Sequence, residues 1–283
     1  MSFNLPGFEN DVPVYIKYGT DITEAQLLRF RAFNTWQETL KKSLAAQKDP
    51  KHPFHKSPYE LKSVEIQSVD WFAKDTDRAF VGFVKLEAEI KNKNPNEKPL
   101  PGIAFLRGMS VAMLMILRPS DSKTERHVIM TEQPRIPAGS LRFLEIPAGM
   151  MDDQKTFYGA AAREIKEETG LTVHEEDLQD LTQLALSDAE NHEGLEHGMY
   201  PSPGGLDESI KIFLWEKVMD RQEIVGLTGR LSGKRKSSEM ITIRILPYER
   251  LWVEGARDAK TLAAWSLYEA LKRSRRLSNT KTW

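Results

Sequence analysis

Glu164, Glu167 and Glu168 stand close together in a run of helix formers, residues 156–169, that closes on Gly170. On a helix, spacings of three and four put their carboxylates on one face. Like charges so placed repel by about 0.2–0.5 kcal/mol per exposed pair. A hard divalent cation converts that repulsion into a binding site. Oxygen ligands, in a chain without cysteine and with no histidine close by, suit Mg²⁺ or Mn²⁺. On spacing alone the same residues also fit a solvated acidic helix, the commoner meaning of a charge run. Ala160, Ala161, Ala162 and Ile165 supply a small, apolar opposite face.

Such a helix needs a scaffold, and strand-like runs surround it. Residues 103–117 and 126–132 read as strands and lead into a segment marked by proline and glycine, 133–149. After the helix, residues 181–186, 209–218 and 240–247 read as strands, and 258–275 as an amphipathic helix with Asp258 at its start. Upstream, residues 23–46 carry an apolar stripe (Leu27, Leu28, Phe33, Trp36, Leu40, Leu44) that predicts a helix. Residues 61–72 and 79–90 alternate as strands do. The polar, proline-bearing stretch 91–102 is the most linker-like in the chain, and a soft boundary falls there, although the flanking strands equally fit a hairpin. The expected division is 1–102, a helix-plus-strands region, and 103–283. The mixture is α+β or α/β.

Composition narrows the classes. Of 283 residues, 40 are Lys or Arg and 41 Asp or Glu, a net charge of −1 that argues against a protein built to grip nucleic acid. The absence of cysteine excludes disulfide scaffolds, thiolate zinc sites, iron–sulfur clusters and thiol nucleophiles. No stretch reaches the ~18 apolar residues that span a bilayer. The first residues have neither basic flank nor apolar core of a targeting peptide, so a cytoplasmic protein is expected, with the nucleus as the alternative.

The run Arg163-Glu164-Ile165-Lys166-Glu167-Glu168-Thr169-Gly170-Leu171, with Gly149 ahead of it, matches the Nudix box, G-x5-E-x7-R-E-U-x-E-E-x-G-U with U apolar. On these residues the chain is identified as a member of the Nudix superfamily. One position departs: Lys155 stands where the first box glutamate is expected, just after Asp152 and Asp153. The departure bears on what that carboxylate contributes, not on the fold. Further segments resemble the ADP-sugar branch, and in particular the plant-type ADP-sugar diphosphatases. They are Glu132-Gln133-Pro134-Arg135, Leu144-Glu145-Ile146-Pro147-Ala148-Gly149, Pro201-Ser202-Pro203-Gly204-Gly205-Leu206-Asp207-Glu208 and Val69-Asp70-Trp71-Phe72.

The resemblance implies a Nudix fold, a mixed β-sheet sandwiched between helices, with an N-terminal β-rich region that dimerises and helps wall the nucleotide site. It implies that Glu164 and Glu168 bind metal with help from Glu167, and that the Ala148 carbonyl is a further ligand. Arg135 is expected to hold the substrate diphosphate, with a surface ion pair as its alternative role. Glu239, in the loop before the late strand, is expected to be a metal ligand, a base, or both; Ser237 stands where relatives with a dedicated base carry it. Glu208 is expected on the substrate side, an ordinary exposed glutamate being the alternative, and Trp71 is expected to stack on adenine. The implied reaction is Mg²⁺-dependent (or Mn²⁺-dependent) hydrolysis of an ADP-sugar, ADP-glucose or ADP-ribose, to AMP and a sugar phosphate, by a homodimer. The alternatives are another nucleotide substrate, such as UDP-glucose, a dinucleotide or capped RNA, and an impaired Nudix module that only binds. Lys155 is the feature favouring the last. His192, His197, the basic run Lys234-Arg235-Lys236 and the one at 272–276 read as solvated surface, the last at a helix end that suits cations.

Overall fold

A computed structural model describes residues 2–73, 76, 79–151, 156–189, 193–232 and 240–277. Glu239, Ser237, Lys155, Asp152, Asp153, His192 and the Lys234-Arg235-Lys236 run lie outside the described residues. The chain divides into two compact units, Met1–Met109 with Glu190–Glu196 and Ser202–Glu208, and Ser110–Ala189 with His197–Pro201 and Ser209–Trp283.

The first unit contains β1 (Ser2–Leu5), β2 (Val12–Ile16), α1 (Glu24–Leu27), α2 (Arg31–Ala46), β3 (Tyr59–Phe72), β4 (Phe80–Asn92) and β5 (Ile103–Leu106). The strands form one sheet in chain order, antiparallel except where β2 runs parallel to β3. Strands β4 and β5 pair directly, so 93–102, most of the linker-like stretch, is the connection of a hairpin. In β4, Val84, Leu86, Ala88 and Ile90 are buried and the lysines and glutamates between them exposed, the half-buried pattern expected. With Val14, Leu27, Phe33, Val64, Ile66 and Leu106 they make this unit's core. The helix expected over 23–46 is two helices. Phe30 is extended (φ −71°, ψ 111°), and the Asn34 side chain donates to the Leu28 carbonyl at 2.7 Å, satisfying a group that a continuous helix would have used itself.

The second unit contains β6 (Ser110–Pro119), β7 (His127–Arg135), β8 (Ser140–Glu145), β9 (Ala148–Met150), α3 (Phe157–Thr169), β10 (Gln179–Asp180), α4 (Leu181–Leu186), β11 (Ile210–Met219), α5 (Arg221–Leu227), β12 (Leu231–Ser232), β13 (Ile241–Pro247), α6 (Leu251–Glu254) and α7 (Ala259–Arg273). Its mixed sheet runs β10-β11-β6-β7-β13-β12, with β8 on β7 and β9 on β6. Strand β6 is buried on both faces, and its apolar run Val111–Leu117 is what such a position requires. Ala112, Leu114 and Ile116 pack with Ala264, Tyr268 and Leu271 of α7 on one face. On the other, Tyr158 of α3 meets Phe213 of β11, ring centroids 4.9 Å apart. This is the helix–sheet–helix sandwich expected. The strand expected over 103–117 is divided at the 106–109 turn, where Asp207 accepts the Arg107 and Gly108 N–H groups at 2.7 and 3.1 Å. Residues 181–186, expected as a strand, are helical. Asp180 caps the first turn by accepting the Gln183 N–H at 2.8 Å, a local bond that decides for helix in a short run whose apolar spacing fits either.

Candidate active site

Thr156 and Gly170 bound α3. The Thr156 hydroxyl accepts the Gly159 N–H at 3.0 Å, and Gly170 adopts φ +75°, the left-handed end that glycine takes without a Cβ penalty. Between the caps the acidic face is not uniform. Glu168 is 6% exposed, whereas Glu167 and Glu164 are half-buried and Lys166 faces solvent. Ala160, Ala161 and Ile165 turn the other way into the core.

The α3 face packs on β9, and here backbone comes unusually close to carboxylate. The Ala148 N–H donates to Glu168 Oε2 at 3.1 Å. A Cβ built on Gly149 would overlap the Glu164 carboxyl group, so only glycine admits that approach. The fixed glycine of the box therefore has a steric reason. Glu164 also accepts from Arg163 at 3.0 Å.

Burial first, then the Glu164 and Glu145 charges, push the Glu168 carboxyl well above its usual pKa; the Arg135 charge and the Ala148 N–H act the other way. Like-charged carboxylates at a buried backbone edge are the donor set a hard divalent cation takes, so the residues present fit Mg²⁺ or Mn²⁺. Among the described residues, no three or more His, Asp or Glu side chains already enclose a cation position.

Sequence reasoning overlooked Glu145 and Lys260. Glu145, at the end of β8, is 2% exposed and accepts from Arg135 Nε at 2.6 Å and from Lys260 Nζ of α7. An acid between Leu144 and Ile146 was the available signal for the first. Nothing local marked the second, which is 115 residues away. Arg135 pairs with a buried carboxylate, not a surface one, and its side chain is 40% exposed. Its expected role is thus compatible with an anchored guanidinium whose outer edge meets solvent.

The structure thus brings Ala148, Glu164, Glu168 and Arg135 together in the second unit, with Glu167 beside them on α3. Glu208 and Trp71 belong to the first unit. Glu208 is buried and pairs with Arg107 at 3.3 Å, so it is not the ordinary exposed glutamate its alternative reading supposed. Trp71 is half-buried against that unit's core, its indole N–H donating to the Asp21 carbonyl at 3.0 Å.

The NUDIX domain family matches residues 107–265, more than half of the chain. The chain belongs to the Nudix family. It is 40% identical over 222 residues, 78% of its own length, to "Nudix hydrolase 14, chloroplastic" of Arabidopsis thaliana, and that stretch spans 66% of the plant protein, just under two thirds. A solved structure titled "Crystal structure of ADP compounds hydrolase" aligns with 77% of this chain and 99% of its own, at 17% identity and a TM-score of 0.42. The plant relative is chloroplastic by name, where the sequence reading expects a cytoplasmic protein. Among the described residues no helix is long and apolar enough to cross a membrane.

Proposed function

We propose that the chain hydrolyses the diphosphate bond of an ADP-sugar, ADP-glucose or ADP-ribose, to AMP and a sugar phosphate. The observation that carries the reading is the pair Glu164 and Glu168, pressed against the Ala148–Gly149 backbone with Arg135 close enough to act on Glu168. The choice of ADP-sugars within the family rests on the Glu132–Arg135, Leu144–Gly149 and Pro201–Glu208 segments, which resemble that branch.

Glu164, Glu168 and the Ala148 carbonyl would hold Mg²⁺, or Mn²⁺, with Glu167 assisting. A bound divalent cation supplies neutralisation of diphosphate charge and a more acidic water. Arg135 binds diphosphate oxygens and orients the bond to be cut. A glutamate, Glu167 or Glu239, takes the proton of the attacking water; its oxygen joins phosphorus as the bridging P–O bond breaks. Glu208 and Trp71 are proposed as contacts to the sugar side and the adenine, and a homodimer as the working form.

The test is release of nucleoside monophosphate with Mg²⁺, AMP from ADP-glucose, ADP-ribose and a dinucleotide and UMP from UDP-glucose. AMP from an ADP-sugar at a kcat/KM at least about tenfold above UDP-glucose supports the reading. Preference for UDP-glucose moves the substrate class, and no turnover of any of them returns the impaired module to which Lys155 points.

A further inference from the structure

Lys260 is the second residue of α7, at a helix end where unsatisfied N–H groups and the macrodipole disfavour a cation. Its side chain is nonetheless only 12% exposed. Two carboxylates keep it there, Asp258 Oδ1 at 3.0 Å and Glu145 Oε2. Asp258 is also the α7 cap: its other oxygen accepts the Thr261 N–H at 3.2 Å and hydroxyl at 2.5 Å. The Thr261 hydroxyl oxygen in turn accepts the Ile146 N–H at 3.1 Å. The first turn of α7 is thus tied to the end of β8 at two adjoining residues, Glu145 and Ile146.

The division of Glu145 between its partners is specific. Lys260 takes Oε2, and Arg135 Nε takes Oε1 at 2.6 Å. A carboxylate with both oxygens open draws arginine into a two-bonded fork that uses a terminal amine as well as Nε. With Oε2 occupied, Glu145 fixes Arg135 through Nε, and among the described residues the terminal amines have no protein acceptor. An arginine restrained in this way also has less rotamer freedom to lose when an anion binds.

We propose that Lys260 is a positioning residue for diphosphate recognition: by occupying one oxygen of Glu145 it keeps the terminal amines of Arg135 for the substrate. The inference deepens the function proposed above and rests on its placing Arg135 against the diphosphate. Without Lys260, Glu145 competes with the substrate for those amines.

The test is calorimetric binding of ADP with Mg²⁺ present, which needs no turnover. Lys260→Met weakens ADP binding about tenfold, and Lys260→Arg, which keeps a cation on Glu145, restores it to within about threefold of wild type. Added to Arg135→Ala, Lys260→Met costs nothing further, because its effect runs through Arg135. A structural role for Lys260 would give losses that add, and additive losses overturn the proposal. So does ADP binding that is the same in wild type and Lys260→Met. Melting curves accompany each variant, and Lys260→Gln replaces Lys260→Met if the latter does not fold. A wild-type protein that binds ADP in this coupled way yet releases no nucleoside monophosphate from any nucleotide sugar removes the hydrolase reading and leaves the Lys260 proposal standing. No ADP binding by the wild type overturns the proposal.

Discussion

Two places in the second unit gather carboxylates, and they treat charge in opposite ways. At the α5 start, Arg221 bonds Asp121 at 2.9 Å and Glu125 at 2.6 Å on the exposed surface, and both acids are held below their usual pKa, Glu125 at about 2, first by those bonds. At the α3 face, Glu168 is buried beside Glu164 and within the field of Glu145, and its carboxyl is pushed up. At the first place each carboxylate is bonded to the Arg221 guanidinium in a solvent-exposed setting, and neither needs a ligand. At the second, the cations bond Glu145 and Glu164, while among the described residues the buried Glu168 carboxyl takes only the Ala148 N–H, so its charge stays costly to desolvate. A divalent cation taken up there, as proposed above, would relieve that cost.

The sharpest way to break the contrast is Glu168→Gln. It lowers turnover to below about a tenth of the wild-type rate at saturating Mg²⁺, since a lost ligand carboxylate removes several kcal/mol of transition-state stabilisation. It should also raise the melting temperature of the metal-free protein. A raised carboxyl pKa means the folded state binds more protons than the unfolded one, so stability falls as pH rises through that interval. The Gln variant escapes this, and its advantage is larger at about pH 8 than at about pH 5. A lower melting temperature at both pH values would mean the buried Glu168 carboxyl is not a cost to the folded protein.

Gly149→Ala is next. The added methyl displaces the Glu164 carboxyl, so turnover falls at least about tenfold while the circular dichroism spectrum keeps its wild-type shape. Wild-type turnover would show that the close approach is incidental.

Arg221→Ala acts on the other place. AMP release stays at the wild-type rate, and the melting temperature falls by a small amount at pH 7. The sign follows from depressed pKa values: the contribution of Asp121 and Glu125 is present above their unfolded pKa and is lost as pH falls through the folded one. The difference between variant and wild type therefore shrinks toward about pH 2. A difference that grows in acid contradicts the compensated reading.

The smallest effect is expected at Lys155, where the chain departs from the box. Lys155→Glu changes neither kcat nor Mg²⁺ affinity by more than about threefold, since RT ln 3 is only ~0.7 kcal/mol, the scale of a surface charge swap. A Mg²⁺ titration of steady-state rates decides it, and a tenfold gain would mean the native protein is a weakened member of its family.

Much of the site was legible in the sequence because its parts are close in the chain. The Gly170 cap, the three-and-four spacing of the glutamates and the alternation in β4 are all read within a few residues. The failures also have local causes. A six-residue apolar run such as Leu181–Leu186 carries too few periods to separate strand from helix, and Asp180 was not read as its cap. The break at Phe30 interrupts a stripe whose spacing continues on either side.

The sequence by itself determined an acidic helix with defined ends, a glycine placed ahead of it, and the strand that lies at the centre of the sheet. Those follow from backbone conformation and side-chain period, which act over a turn or two. Only the tertiary structure decided that Glu168 and not Glu167 is the buried carboxylate, that Gly149 yields its side-chain space to Glu164, and that Glu145 is shared between Arg135 and Lys260. The physical reason is range: burial and charge compensation depend on which distant residues fill the space around a group, and Lys260 reaches Glu145 from 115 residues along the chain.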